Sequence, residues 1–201
     1  TRHLPMARDT SEFFSLSPDG RWLAHGFRHA GVQVTAMPEG TAVHDFPGAG
    51  EWNSCVFSPD GKSLVTGDGH GFRLFRTGNW QEVWHNSSSG NGATGRDAGF
   101  DPSSRWLIHC PQPGCLTLLD PDSGREVVSL RRDRDNAAAH FAMSAAGDQL
   151  WELDLRTQVL WRWNLAALRT FLRDRGLDWT DAPLPPAVPA AAPPLPGILN
   201  L

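Results

Sequence analysis

One phrase occurs twice in the sequence with only small changes. "SLSPDGRWLAHG" begins at Ser15, and "VFSPDGKSLVTG" begins at Val56. Pro18 fixes φ at the second turn position, Asp19 can bond its own backbone, and Gly20 accepts a positive φ, so the phrase predicts a tight turn between two strands. Because the same apolar pattern stands on both sides of each turn, it also predicts a structural unit that is used repeatedly.

Two weaker copies extend the repeat. "FDPSSRWLIHC" places Asp101, and "MSAAGDQLWEL" places Ser144, where the first copies have Ser17 and Ser58, at intervals of about 41 to 43 residues. This interval is typical of a four-stranded blade of a β-propeller. The predicted repeat turns contain Ser17, Pro18, Asp19, Gly20, Ser58, Pro59, Asp60, Gly61, Asp101, Pro102, Ser144 and Gly147.

Each unit contains short apolar or alternating segments separated by Gly, Pro, Asp and Ser, which predicts an antiparallel meander of four strands. The predicted units cover residues 7–47, 48–90, 96–131 and 137–164. In the last unit "LAALRTFLRDRG" has helical periodicity in place of a fourth strand. Residues 165–176 are therefore predicted to form a helix that caps the array, with Asn164 as its N-cap and Gly176 at its end.

These patterns predict an all-β fold, a partial β-propeller of about four four-stranded antiparallel blades within residues 1–180, with a C-terminal capping helix. Residues 181–201, "DAPLPPAVPAAAPPLPGILNL", are rich in Pro and Ala. Proline removes backbone donors and favours extended polyproline conformations, so this tail is predicted to be disordered.

The phrase "F-S-P-D-G-x-x-L-x-x-G", followed by a strand, a Gly turn and another strand, resembles the WD-repeat family of β-propellers. The ending "WRWNLAALRTFLRDRGLDWTDAPLPP" is similar to the C-terminal propeller region of bacterial WD-repeat Ser/Thr protein kinases. The resemblance implies a non-catalytic scaffold for protein–protein interaction in signalling, and it leaves open a kinase domain upstream of this chain.

The repeats depart from the family at its most characteristic positions. The Trp-Asp pair expected at the end of each third strand is replaced by Ala36-Met37, Arg76-Thr77, Leu119-Asp120 and Trp163-Asn164. Apolar packing is therefore expected to hold the units together in place of the family's buried Asp–His network. Four units are also fewer than the usual seven blades, so the chain is expected to be the C-terminal part of a larger propeller, with Thr1–Met6 left from a preceding blade; a partner chain or a four-blade ring is the alternative.

Composition restricts the partners. The chain has 201 residues, of which 40% are hydrophobic and 20% are charged, and its formal net charge is -4. Without a basic stripe neither nucleic acid nor an anionic membrane is an expected partner, and no apolar run is long enough to span a bilayer. Three cysteines are too few for a disulfide framework, which favours the cytoplasm.

No segment carries a recognisable catalytic motif, so no catalytic residue, cofactor or metal site is predicted. The segment "SSSGNGATG" is interpreted as a loop between units in preference to a phosphate cradle, and "DPDSG" as a turn in preference to a calcium loop. In "HCPQPGC", Cys110 and Cys115 are interpreted as half-buried strand residues, with a disulfide, or a metal site that includes His109, as alternatives.

Four residues are candidate contacts for protein partners. Trp80 and Trp84 border a loop and are expected to be exposed, and Arg131 and Arg132 belong to the charged junction "RRDRD". The scaffold could bind other proteins or only the remaining blades of a propeller. The alternative function is a propeller sensor or enzyme that holds a small ligand in the channel between blades. Its best candidate ligand-binding residues are three histidines, His25, His70 and His109.

Overall fold

The computed structural model describes residues 11–48, 53–68, 70–87, 98–112, 114–132, 139–154 and 157–179. Thr1–Met6, the tail 181–201 and most of "SSSGNGATG" lie outside these residues. No helix in the described part of the chain is long and apolar enough to cross a membrane.

The described residues contain fifteen strands in four antiparallel sheets, in which neighbours along the chain are neighbours in the sheet. The first sheet contains β1 (Ser11–Leu16), β2 (Trp22–Phe27), β3 (Gly31–Ala36) and β4 (Thr41–Phe46). The second contains β5 (Ser54–Phe57), β6 (Ser63–Asp68), β7 (Gly71–Arg76) and β8 (Glu82–Ser87). The third contains β9 (Ala98–Phe100), β10 (Leu107–Gln112), β11 (Cys115–Leu119) and β12 (Glu126–Arg131). The fourth has only β13 (Ala139–Met143), β14 (Gln149–Asp154) and β15 (Val159–Asn164), and α1 (Leu165–Arg173) follows it.

The expectation of a predominantly β chain made of antiparallel meanders is thus confirmed, as is a helix in place of the sixteenth strand. Each sheet also lies inside its predicted unit. In every sheet the repeated phrase connects the first strand to the second, because its turn residues end one apolar run and begin the next.

The first two sheets pack face to face through apolar side chains. Ala24, Val34 and Phe46 of the first sheet contact Phe57 and Leu64 of the second, and all five are at most 5% exposed. β1 and β5, the first strands of these two sheets, are also joined directly, because the backbone N–H of Phe57 donates to Ser15 Oγ at 3.0 Å.

The backbones of the first and second sheets approach closely at Gly26. A Cβ atom at this position would lie 1.7 Å from the carbonyl oxygen of Asn53. The Asn53 side chain crosses the same seam and donates to the carbonyl of Phe27 at 2.7 Å. Glycine is therefore needed at position 26 to let β2 reach the start of the second sheet.

The same packing continues through the remaining sheets. Val65 and Phe72 of the second sheet contact Leu107 and Leu119 of the third. Between the third and fourth sheets the core contains Ile108, Cys110, Leu116, Leu118, Leu130 and Leu150, together with Leu165 of α1. The sheets are therefore stacked in chain order, with an apolar layer in each seam, as the sequence predicts for units held by apolar packing.

The helix α1 begins directly after β15. The Asn164 side chain accepts a hydrogen bond from the backbone N–H of Ala167 at 2.9 Å, which is the predicted N-cap. The helix ends at Arg173, three residues before the predicted end, and a turn reaches Gly176 at φ 66°. The backbone N–H of Leu165 donates to the carbonyl of Asp148 at 2.8 Å, so α1 lies against the turn between β13 and β14.

Candidate interaction surface

The turn between the first and second strand, here called the corner turn, has the same hydrogen bonds in all four sheets. It begins with an anchor residue, which is Ser17, Ser58, Asp101 or Ser144. The anchor's backbone N–H donates to the carbonyl of the residue five positions later at 2.8–3.0 Å. An oxygen of the anchor side chain accepts from that same residue's N–H at 2.6–3.1 Å. In each sheet the anchor side chain thus takes the place of the anchor's backbone carbonyl as the acceptor of this hydrogen bond.

Each corner turn also contains a carboxylate. In the first, second and fourth turns it accepts a hydrogen bond from the anchor hydroxyl, and in the third it belongs to the anchor, Asp101. In the first two, the anchor hydroxyl donates to Asp19 Oδ1 at 2.6 Å or to Asp60 Oδ1 at 2.7 Å. The Ser17 hydrogen bond is the main cause of a lowered pKa of Asp19. Partial burial raises the pKa of Asp60, but hydrogen bonds from Ser58 and Lys62 outweigh it and the pKa is lowered.

The fourth corner turn obtains its carboxylate from a different position. Ser144 donates to Asp148 Oδ1 at 2.5 Å, and Asp148 follows the turn glycine instead of preceding it. Sequence reasoning missed Asp148, although "AAGD" holds the only acid near this turn. Gly147 has φ 70° and is the left-handed residue of the turn, where the repeat placed it.

The corner turns of the first three sheets touch one another. A Cβ atom at Gly61 would lie 3.7 Å from the Pro18 ring, in ordinary contact. The backbone N–H of Asp60 donates to Ser104 Oγ at 2.9 Å. Ser104 has φ 59° where the other three turns have glycine, so a side chain is kept in a costly conformation at the point where it joins two sheets. The corner turns of the first three sheets therefore form a continuous row, which the fourth corner turn extends.

The row is interrupted between the third and fourth sheets by a cleft of about 340 Å³. Its apolar wall consists of Trp106, Leu118, Met143, Leu165 and Trp179. The corner residues Asp101, Pro102, Ser103, Ala145, Ala146 and Gly147 form the sides, and α1 closes one end.

The charged residues that line this cleft are one carboxylate, Asp101, and two arginines, Arg105 and Arg169. The oxygens of Asp101 are held by the backbone N–H groups of Trp106 and Ser103. Arg169 is paired with Asp178 at 3.1 Å. Arg105 is exposed and forms no ion pair with any residue that the structure describes. The cleft could therefore hold an apolar side chain next to a carboxylate or another anionic group.

Trp80 and Trp84 lie in the seams between sheets, contrary to the expectation that they are exposed. The Trp80 ring is 5.6 Å from the Trp22 ring and 6.0 Å from the imidazole of His44, both in the first sheet. The Trp84 indole N–H donates to the carbonyl of Pro121 in the third sheet at 2.9 Å. Both rings are half-buried, so they join sheets of this chain and present little surface to a partner.

Arg132 is buried, contrary to the prediction that it is a surface contact for a partner. Its side chain is 5% exposed and pairs with Glu152 at 2.7 Å and with Asp154 at 3.5 Å, two carboxylates that are themselves buried. Glu152 also accepts from the indole N–H of Trp163. Arg131 is exposed, as expected. No local pattern in "RRDRD" shows that its second arginine reaches two buried carboxylates on β14 of the next sheet.

The three candidate histidines do not meet at one site. His25 is buried in the first sheet and bonds Thr35 Oγ1 at 2.9 Å, whereas His70 is exposed in a turn of the second. His109 is buried in the third sheet against Phe72, and burial lowers its pKa to about 4. His25 lies on the same face of the first sheet as Phe14, and His109 lies in the seam between the second and third sheets, so the two do not form a shared ligand site.

The thiols in "HCPQPGC" are both buried and free. Cys110 belongs to the core between the third and fourth sheets. Cys115 contacts Thr117, which is paired with His109 and so lies on the face toward the second sheet. The two thiols occupy opposite faces, which argues against the disulfide. No group of three or more metal-ligating side chains occurs among the described residues.

The segment "DPDSG" forms the turn between β11 and β12. The Asp120 carboxylate accepts from the backbone N–H of Asp122 at 2.9 Å and from the Ser123 hydroxyl at 2.9 Å. Asp122 pairs instead with Arg76 of the second sheet at 2.7 Å. The two acids point to different partners, as in a strand-joining turn.

No protein-family model matches the chain, and no curated protein matches it either.

Proposed function

We propose that this chain is part of a β-propeller of the WD-repeat type and that it acts as a non-catalytic scaffold for protein–protein interaction. The observation that carries the proposal is the corner turn, which has the same hydrogen bonds in four successive sheets stacked face to face. Four-stranded meanders that repeat in this way, with their first strands near one another, are the building units of propellers.

The two ends of the stack support a larger propeller. The outer face of the first sheet presents Phe14 and Leu16, which are 77% and 54% exposed. The opposite end, on the fourth sheet, presents Leu160 at 58%. Because such faces are covered inside the stack, the chain is proposed to be the C-terminal part of a longer propeller whose other blades cover them, with a Ser/Thr kinase domain upstream as one arrangement.

The scaffold reading is favoured over the small-ligand alternative. The histidines suggested for a ligand are distributed over three sheets, and the buried carboxylates of Glu152 and Asp154 are already paired with Arg132. The row of corner turns, by contrast, offers a broad surface with a cleft suited to an apolar and acidic side chain of a protein.

Binding of proteins to the row and its cleft tests the proposal. The purified chain is immobilised, proteins that it retains from cells of its source are identified, and each is purified and titrated against the chain by calorimetry. We expect at least one direct complex, weakened by Arg105→Glu at the cleft and unchanged by Arg125→Glu, an exposed arginine in another turn.

A metabolite panel in a thermal-shift assay tests the alternative function. A ligand that binds only the folded state raises the melting temperature, by an amount that grows with the logarithm of its concentration relative to its Kd. We expect no metabolite to change the melting temperature. A reproducible rise with one metabolite, together with no direct protein complex, would favour the sensor or enzyme.

A further inference from the structure

In the described part of the chain, the fourth sheet has three strands where the other sheets have four. β3, β7 and β11 each pair on their outer side with a fourth strand, whereas β15 has no such partner among the residues that the structure describes. α1 does not occupy the place, because the chain turns after Asn164 and Leu165 bonds the carbonyl of Asp148 at the corner turn. The predicted capping helix therefore covers the core but does not pair with the outer edge of β15.

Among the residues that the structure describes, none pairs with the outer edge of β15, and the strand is regular. Val159, Leu160 and Trp161 are 43%, 58% and 43% exposed. β15 is paired with β14 through six residues without a register shift, and it contains no proline or lysine. Bulges, prolines and lysines are the usual means by which proteins prevent strand pairing at an edge, so β15 is an available template.

The molecule itself shows which strand fits beside such a third strand. In all three complete sheets the fourth strand carries one extra residue near its start, and that residue is valine each time. The three valines are Val43, Val83 and Val127. The residue before the valine is Ala42, Glu82 or Glu126, and the residue after it is His44, Trp84 or Val128.

We propose that β15 binds an extended segment of a partner protein by strand addition. Near its start the segment carries one extra, unpaired residue, which is valine, as in the three native fourth strands. Alanine or glutamate precedes this valine, and an aromatic or β-branched residue follows it. Backbone hydrogen bonds to β15 supply the affinity, and the apolar residues pack beside Leu160 and Trp161. The inference rests on the proposed function, since it names one binding edge of the scaffold.

A peptide copied from the chain serves as the probe. Gly78–Ser87, "GNWQEVWHNS", contains a native fourth strand and is synthesised with a fluorescein label. Two control peptides are N-methylated at alternate backbone nitrogens of the strand, one set on each edge. Binding to the full chain is measured by anisotropy, and amide exchange of β15 is measured by NMR with and without peptide.

We expect saturable binding, slower exchange of β15 amides, and at least ~10-fold weaker binding of one N-methylated peptide than of the other, because only one edge faces β15. The proposal is overturned if both N-methylated peptides bind like the parent or if none binds at millimolar concentration. It is also overturned if the outward β15 amides are already protected in the free chain, since another segment or a second copy then fills the edge. These results leave the cleft and its Arg105 test unaffected, so failure here is distinguishable from failure of the scaffold proposal.

Discussion

The backbone N–H of Asp60 donates a hydrogen bond of 2.9 Å to the hydroxyl of Ser104, which lies 44 residues further along the chain. This bond connects the corner turns of two different sheets. Each corner turn is held in shape by its anchor residue, and this hydrogen bond fixes the second corner turn against the third. Loss of an anchor should therefore weaken both its own sheet and the contact with the next one.

Replacing Ser58 by alanine tests the anchor. Ser58 is 1% exposed, accepts from the backbone N–H of Ser63 and donates to Asp60. Its loss leaves a buried backbone donor without this acceptor, so we expect Ser58→Ala to lower the free energy of unfolding by about 1–3 kcal/mol in urea titrations. Ser123→Ala, in an exposed turn, should cost less than about 0.5 kcal/mol. Equal costs for the two variants would show that the anchor has no special role.

The buried ion cluster of Arg132 gives a prediction with a neighbouring control. Arg132→Met leaves the carboxylates of Glu152 and Asp154 buried without their cation, so we expect a loss of about 3–5 kcal/mol. Arg131→Met changes an exposed side chain and should alter stability by at most about 0.5 kcal/mol. Chemical denaturation of the two variants measures the difference. Similar values for both would contradict the buried position of Arg132.

The pH dependence of stability reports on His109. Burial lowers its pKa to about 4, below the ordinary value of 6.5, so the folded state favours the neutral ring. The contribution is complete above pH 6.5 and is lost as pH falls toward 4, by about 3 kcal/mol. We expect His109→Gln to flatten the fall of unfolding free energy over this range, and His70→Gln, in an exposed turn, to leave it unchanged. A slope unaffected by His109→Gln would place the imidazole in solvent.

The close approach at Gly26 predicts strong sensitivity to one methyl group. In Gly26→Ala the new Cβ would lie 1.7 Å from the carbonyl of Asn53, so the first and second sheets must separate. We expect a loss of about 3 kcal/mol or more, measured by thermal and urea unfolding. Gly20→Ala is the control, because its Cβ would meet no other atom within 4 Å. Its expected loss of unfolding free energy is about 1–2 kcal/mol, which comes only from placing alanine at φ +72°. A smaller cost at Gly26 than at Gly20 would rule out this contact.

Local patterns were sufficient to predict the strands but not the contacts between sheets. The corner turns depend on residues within five positions of Ser17 or Ser58, and such spacing is visible in the sequence. The positions of Trp84 and Arg132 depend on residues 20 to 37 positions away, and nothing local distinguishes them from exposed residues. That α1 does not pair with the outer edge of β15 follows from how the chain turns after Asn164, which a helical pattern alone does not show.

The spacing of the corner turns measures the central claim most directly. Arg21, Lys62, Arg105 and Ala146, one in each corner turn, are replaced by cysteine in pairs and spin-labelled. Pulsed electron–electron double resonance then gives the distances between the labels. The native thiols are buried in the described structure and should remain unlabelled.

We expect the three neighbouring pairs to give similar short distances, and the Arg21–Arg105 distance to exceed either neighbouring distance while staying below their sum, as on a curved row of stacked sheets. A neighbouring pair further apart than Arg21 and Arg105, or distances that grow in strict proportion along the chain, would contradict the propeller arrangement.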